Sequence, residues 1–242
     1  MFNTIDYIET IVNGLTFTQT IDVIHPTVNN ETTIEVCKTY WSFPKGRIKI
    51  NGNYYTIKDI EPNESITIRG TLTGSETEYT IDAPNFFHGT PMQTNNALAM
   101  VKDWKNKLPM VYFIEPVIET IYPERTSKIY NESNFKVLFL TLGDLATSVD
   151  YQYKNAITPV NQLVFEFERA ILTDPKIGEL KQYTKSNRPN YGIWILKDTK
   201  AKTNKEDNMK RLIDEDVSGV EMAIEIPFKR SVCDIDTNCK NH

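Results

Sequence analysis

Long apolar runs are missing from this chain of 242 residues, and with them any helix able to cross a bilayer, which needs about 18 to 20 consecutive apolar residues. Histidine is scarce. His25, His88 and His242 are the only three, far apart in sequence, so histidine-centred acid–base chemistry has few places to form. Three cysteines are too few for a disulfide scaffold in a chain this long, and an odd number suits a reducing compartment. Basic residues do not predominate either: 27 Lys and Arg stand against 32 Asp and Glu, a formal charge of -5. That balance argues against a protein that coats nucleic acid, which needs basic surface to displace counterions. The opening MFNTIDYIETIVNG lacks the basic residues and apolar stretch of a secretory signal, so the protein is expected to stay in the cytoplasm where it is made. Sequence motifs for a phosphate-binding Walker loop, a Gly-x-Ser-x-Gly elbow, a His-Glu-x-x-His helix and a dinucleotide fingerprint do not occur.

What remains is an ordinary folding composition, 40% apolar and 11% aromatic, enough to bury a core in one large domain or two small ones. NTIDYIETIVNGL puts Ile5, Ile8, Ile11 and Val12 on one helical face, with Asn3 or Thr4 as the cap and Gly14 as the stop. A short docking helix is predicted. From about residue 15 to 85 the chain is rich in Thr, Ile, Tyr and turn formers, in repeated strand patterns. In GRIKINGNYYTIKDIEPNESITIRG, Ile48 and Ile50 alternate and Asn51-Gly52 supplies the positive-φ residues of a tight hairpin. Tyr55 and Ile57 follow, and EPNE leads to Ile66 and Ile68. The pattern predicts a three-stranded meander, which TTIEVCKTYW and TEYTID extend to a small barrel or sandwich.

APNFFHGTP, residues 83–91, marks the expected boundary in an α+β fold. On one side lies an N-terminal helix with a β-rich module (1–85), on the other an α/β sandwich with helices packed on a mixed sheet and a flexible C-terminal tail (86–242). Thr90-Pro91 opens a helix carrying Ala97, Val101, Trp104 and Leu108, stopped by Pro109. Strands are predicted at MVYFIEPV, FKVLFLTL, YGIWIL and GVEMAIEIPF. The near-continuous apolar run Val137, Leu138, Phe139, Leu140 implies burial on both faces and a central place in the sheet. GVEMAIEIPF alternates Val220, Met222, Ile224, Ile226 and Phe228 against Glu221, Ala223, Glu225 and Pro227, a strand with one dry and one wet face; residues 219–228 are expected at an edge. Thr158-Pro159 opens a helix with Val160, Leu163, Val164, Phe167 and Ile171 in one stripe. Phe165 and Leu172 lie off it, and either a neighbouring subunit or a wider core has to cover them.

Candidate sites are few. Cys233, Asp234, Asp236, Cys239 and His242 crowd the C-terminus but lack the close Cys-x2-Cys pairing of structural zinc, so a strand followed by a tail is the expectation, with no metal, cofactor or disulfide assigned. His88 in NFFHGT reads as a turn residue, with no nucleophile in register. Glu166 and Glu168, two apart on a helix, point in different directions and are expected in solvent. KDTKAKTNKEDNMKRLIDEDVS has a basic first part (Lys197, Lys200, Lys202, Lys205, Lys210, Arg211) and an acidic end (Asp214, Glu215, Asp216). It reads as a solvated loop or as an arm reaching a partner subunit or a nucleic-acid backbone. Tyr40, Trp41, Tyr54 and Tyr55 support an alternative reading, a ligand- or glycan-binding groove on the β-rich module.

The order PMVYFIEPVIETIY, FKVLFLTL, the helix ITPVNQLVFEFERAIL and the closing VSGVEMAIEIPF resembles tail-terminator or tail-completion proteins of tailed bacteriophages, over about residues 90–230. The resemblance implies helices packed on a sheet, subunits closed into a ring around the DNA channel where tail meets neck and head, and no catalytic residues to carry over. Residues 15–85 would then be an inserted β module. The resulting expectation is a non-enzymatic virion protein made in the host cytoplasm, with other copies of itself and neighbouring neck and tail proteins as partners, DNA only as passing cargo and no membrane. The interface residues it suggests are Phe165, Leu172, Glu221 and Glu225, with Lys200, Lys202, Lys205, Lys210 and Arg211 facing a partner or DNA.

Overall fold

A computed structural model describes residues 3–90, 107–123, 128–143, 146–180, 182–189 and 216–229. The fold is a mixed α+β arrangement, mostly strands, with a curled sheet and a separate mixed sheet. Helix α1 (Thr4–Asn13) begins where Asn3 Oδ1 accepts the Ile5 amide at 3.0 Å and ends at Gly14, whose amide bonds back to Thr10 and Ile11. The asparagine cap and glycine stop were legible from local chemistry alone.

The first sheet contains β1 (Phe17–Thr20), β2 (Val23–Ile24), β3 (Glu31–Glu35), β4 (Arg47–Ile50), β5 (Asn53–Glu61), β6 (Ser65–Arg69) and β7 (Glu78–Ile81), in the order β1-β7-β4-β5-β6-β3-β2. The predicted meander is β4-β5-β6. Asn51 and Gly52 take φ of 48° and 82°, closing a two-residue hairpin with Ile50 opposite Asn53. The segment 17–24 serves both ends of this sheet: β1 pairs with β7, β2 pairs with β3, and between them Ile21 N bonds Thr77 O and Asp22 N bonds Glu35 O. One stretch of chain can reach both edges because the sheet curls around its own apolar face. Ile34, Ile48, Ile50, Ile57, Ile60, Ile66 and Ile68 fill that face, each 1% exposed or less. Their β-branched side chains suit a pleated, packed surface.

The second sheet has the order β11-β12-β10-β9-β8, from β8 (Asn85–Gly89), β9 (Met110–Ile121), β10 (Ile129–Leu142), β11 (Tyr183–Arg188) and β12 (Val217–Lys229). β8 and β9 run parallel and the other pairs antiparallel. As its composition suggested, β10 is central. Its Val137 and Phe139 join one apolar cluster and its Leu138 and Leu140 another, the latter with Met110, Tyr112, Phe43 and Leu108 on the opposite face. Two expectations are corrected. Residues 85–89 do not form a turn: Phe86, Phe87 and His88 pair with Val111, Tyr112 and Phe113, so the segment expected to separate two parts builds the second sheet. Nor is β12 an edge. It is bonded to β10 on one side and to β11 on the other, because YTKSNR, too polar to signal a strand, adds itself outside it. Close packing is needed here, since a Cβ on Gly219 would sit 2.1 Å from the Phe139 carbonyl oxygen. The helix predicted between Thr90 and Leu108 lies almost wholly outside the described residues, and the strand YGIWIL lies entirely outside them.

A helical run follows β10. α2 (Val149–Gln152) is capped by Ser148, whose Oγ accepts the Tyr151 amide, then a π-turn (Tyr153–Ile157) leads into α3 (Thr158–Thr173). Thr158-Pro159 does stand at the start of α3, but inside a longer helical run, so Thr158 is not its cap. Proline has no amide to offer the residue four back, and the wider π-turn lies just where that bond would be lost. α3 packs Val160, Leu163, Val164, Phe167 and Ile171 inward, all 1% exposed or less, with Phe139 edge-on to Phe167 at 5.1 Å. α1, grouped by sequence with residues 1–85, has its partners in the second half. Tyr7 meets Phe228 edge-on at 5.2 Å and donates to Asp174, and Thr4 donates to Glu119. A single apolar cluster includes α1, the isoleucines of the curled sheet, β10, β12 and α3.

Candidate interaction surface

Because α3 is pinned by its inward stripe, helical geometry aims the residues between outward. Phe165 and Leu172 are 60% and 61% exposed. Arg169 falls between them at helical spacing and is half exposed on the same outward line. Its guanidinium pairs with Glu166 at 2.6 Å, while Glu168 pairs with Lys185 of β11 at 3.0 Å. Neither carboxylate is in solvent as the sequence suggested. They are 5% and 8% exposed because α3 is flanked by the curled sheet on one side and by β11 on the other, and each buried charge has its own cation. The outward line is therefore apolar, cationic, apolar.

Beside it runs a groove of 440 Å³ between α3 and the loop after β3, walled by Phe165, Gln162, Tyr40, Lys38 and Cys37. Gln162 Nε2 donates to Asn63 Oδ1 at 3.1 Å and Lys154 pairs with Glu61 at 2.6 Å, so the helical run and the curled sheet are tied together along it. The Cys37 thiol, donating to Asp22 Oδ2, is held above its ordinary pKa chiefly by that hydrogen bond, and burial next to the Glu166 charge raises the Tyr40 phenol. Neither is poised as a nucleophile or base near neutral pH.

The other sequence candidates scatter. Glu221, on interior β12, bonds Lys136 at 3.2 Å and lies 3.6 Å from Arg188, a cross-strand network on the wet face; Glu225 is half-buried on the same strand. Glu221, between β10 and β11, does not belong to an open strand edge, and Glu225 lies one residue past the end of the β11 pairing. His88 is exposed, 3.1 Å from Glu115 and stacked near Phe86. Tyr40, Trp41, Tyr54 and Tyr55 do not converge on a groove. Trp41 is 2% exposed and Tyr40 8%, both packed with Phe17, whereas Tyr54 lies outside under Arg47 and Lys49 with its hydroxyl on Asp82. Tyr54 and Tyr55 are adjacent in β5 and face opposite ways. Lys200, Lys202, Lys205, Lys210, Arg211, Cys233, Cys239 and His242 lie outside the described residues. Among the described residues no three His, Cys, Asp or Glu side chains gather as metal ligands, and no helix is long and apolar enough to cross a membrane.

Sequence reasoning missed one exposed apolar pair, Ile118 and Ile121 of β9, 67% and 57% exposed. The strand expected at MVYFIEPV runs on to Ile121, and nothing local reveals that, among the described residues, β8 pairs only with Met110–Ile114. In comparisons with known proteins, the chain matches no family model and no curated protein.

Proposed function

We propose that this protein is a virion structural subunit of a tailed bacteriophage, closing with copies of itself into a ring at the head–tail junction, as a tail terminator or neck ring around the DNA channel. The observation that carries the reading is the outward line of α3. Phe165 and Leu172 are large apolar side chains held in solvent by a helix whose inner stripe is fully buried, and such surface suits a protein contact. The order of strands and helix in the second half, which resembles tail-terminator proteins, supplies the kind of assembly. A charge of -5 is compatible with a channel wall along which DNA slides without sticking. On this reading the subunit is made in the host cytoplasm, resides in the virion, has neighbouring neck and tail proteins as further partners, and performs no catalysis.

The test is electron microscopy with mass determination on the purified protein at high concentration. A closed ring of defined subunit number is expected. A strict monomer under those conditions counts against self-assembly and favours the alternative binding-module reading, which a glycan array on the same protein then examines.

A further inference from the structure

We infer that Asn51 is a site of covalent self-modification, deamidating to aspartate and isoaspartate, and that Asn13, in the same local sequence context, is protected by the fold. The inference is independent of the ring reading. In this chemistry the backbone nitrogen that follows an asparagine attacks the side-chain Cγ. Its proton leaves with the amide nitrogen as ammonia, and a five-membered succinimide closes. Water then opens the ring at either carbonyl: at the side-chain carbonyl it leaves aspartate, and at the backbone carbonyl it leaves isoaspartate, whose main chain runs through the side chain. A following glycine, lacking a Cβ, gives the nitrogen its freest approach. The chain has two such pairs, Asn13-Gly14 and Asn51-Gly52, each preceded by a β-branched residue, Val12 or Ile50. Sequence alone therefore ranks them equal.

The structure separates them. Asn13 closes α1, and the Gly14 amide that would attack donates to the Thr10 and Ile11 carbonyls at 3.2 and 3.1 Å. Leu15 N bonds Val12 O at 3.0 Å, and Val12 and Leu15 are 0% and 4% exposed, so freeing that nitrogen unwinds the last turn of a helix whose flanks are held in the core. Asn51 and Gly52 stand at the tip of the β4–β5 hairpin, beyond its last pair, Ile50 and Asn53, and both are exposed. Among the described residues the Gly52 amide has no acceptor, and a Cβ there would meet nothing within 4 Å. Attack needs the left-handed turn, with φ of 48° and 82°, to open. That opening withdraws no buried side chain, and exposed tips of this kind lie at the low end of local stability. The Asn-Gly pair that closes the hairpin is thus also where the chain changes itself. Isoaspartate adds a main-chain carbon to a tight turn next to Ile48 and Ile50, 1% and 0% exposed.

A timed incubation of the purified full chain in warm, mildly alkaline buffer tests this, read by peptide mapping with mass spectrometry and by an isoaspartate-specific methyltransferase. The peptide carrying Asn51 is expected to convert about tenfold faster than the one carrying Asn13, and the two rates to converge in urea, where both nitrogens are released. Equal rates in the folded protein overturn the inference, as does an Asn51 that stays intact while the urea-unfolded chain converts there. Gly52→Ala, checked by circular dichroism for a kept fold, places a Cβ beside the attacking nitrogen. It is expected to lose most of the Asn51 product and to leave Asn13 unchanged. Undiminished conversion at Asn51 in that variant overturns the assignment of the attack to the Gly52 nitrogen.

Discussion

Phe165 and Phe167 are two residues apart on one helix and have opposite fates. Phe167 is 0% exposed against Phe139, while Phe165 is 60% exposed at the groove. Phe167→Ala should therefore cost about 3 to 5 kcal/mol in urea denaturation, the range for emptying a buried aromatic site. Phe165→Asp should change stability by no more than about 0.5 kcal/mol and abolish ring assembly in the microscope. A large loss of stability in Phe165→Asp would make that residue part of the core. The spacing 160, 163, 164, 167 and 171 made the inner stripe legible, and the same arithmetic placed Phe165 outside it. Glu166 has its cation at Arg169, three residues on in the same helix, but the pairing of Glu168 was not legible, because it depends on Lys185, a residue of a strand that nothing local announces.

Among the elements, the hairpin between β4 and β5 rests on two residues. Gly52 has φ of 82° and open space where a Cβ would go, so Gly52→Ala changes backbone conformation energy without a clash. A loss of about 1 kcal/mol is expected, read as a lower urea midpoint with an unchanged slope. An unchanged midpoint would mean that the turn relaxes to another type at no cost. This element was readable from Asn-Gly alone. The entry to α3 was half readable: Thr-Pro does stand at its first positions, but Ser148 caps the helical run earlier and a π-turn precedes the proline.

At the scale of the molecule, the apolar cluster does not stop at the sequence boundary near residue 85. Isoleucines of the curled sheet and residues of β10, β12 and α3 belong to one contiguous core, and α1 is tied into the second half by Tyr7 and Thr4. Heat unfolding should accordingly be one cooperative transition, with calorimetric and van't Hoff enthalpies in agreement. Two resolved transitions would show the curled sheet and the mixed sheet to be separate folding units.

Periodicity and turn chemistry by themselves determined the docking helix, the meander, the inner stripe of α3, the dry face of β12 and the central place of β10, since each follows from neighbours in the chain. Tertiary structure alone decided what lies beside each element. It turned the expected boundary into β8, moved β12 inside the sheet by adding β11, paired Glu168 with Lys185, buried Tyr40 and Trp41, and left Ile118 and Ile121 exposed. Those outcomes depend on hydrogen bonds and packing between residues far apart in sequence, where a side chain's own pattern carries no information about which strand ends first.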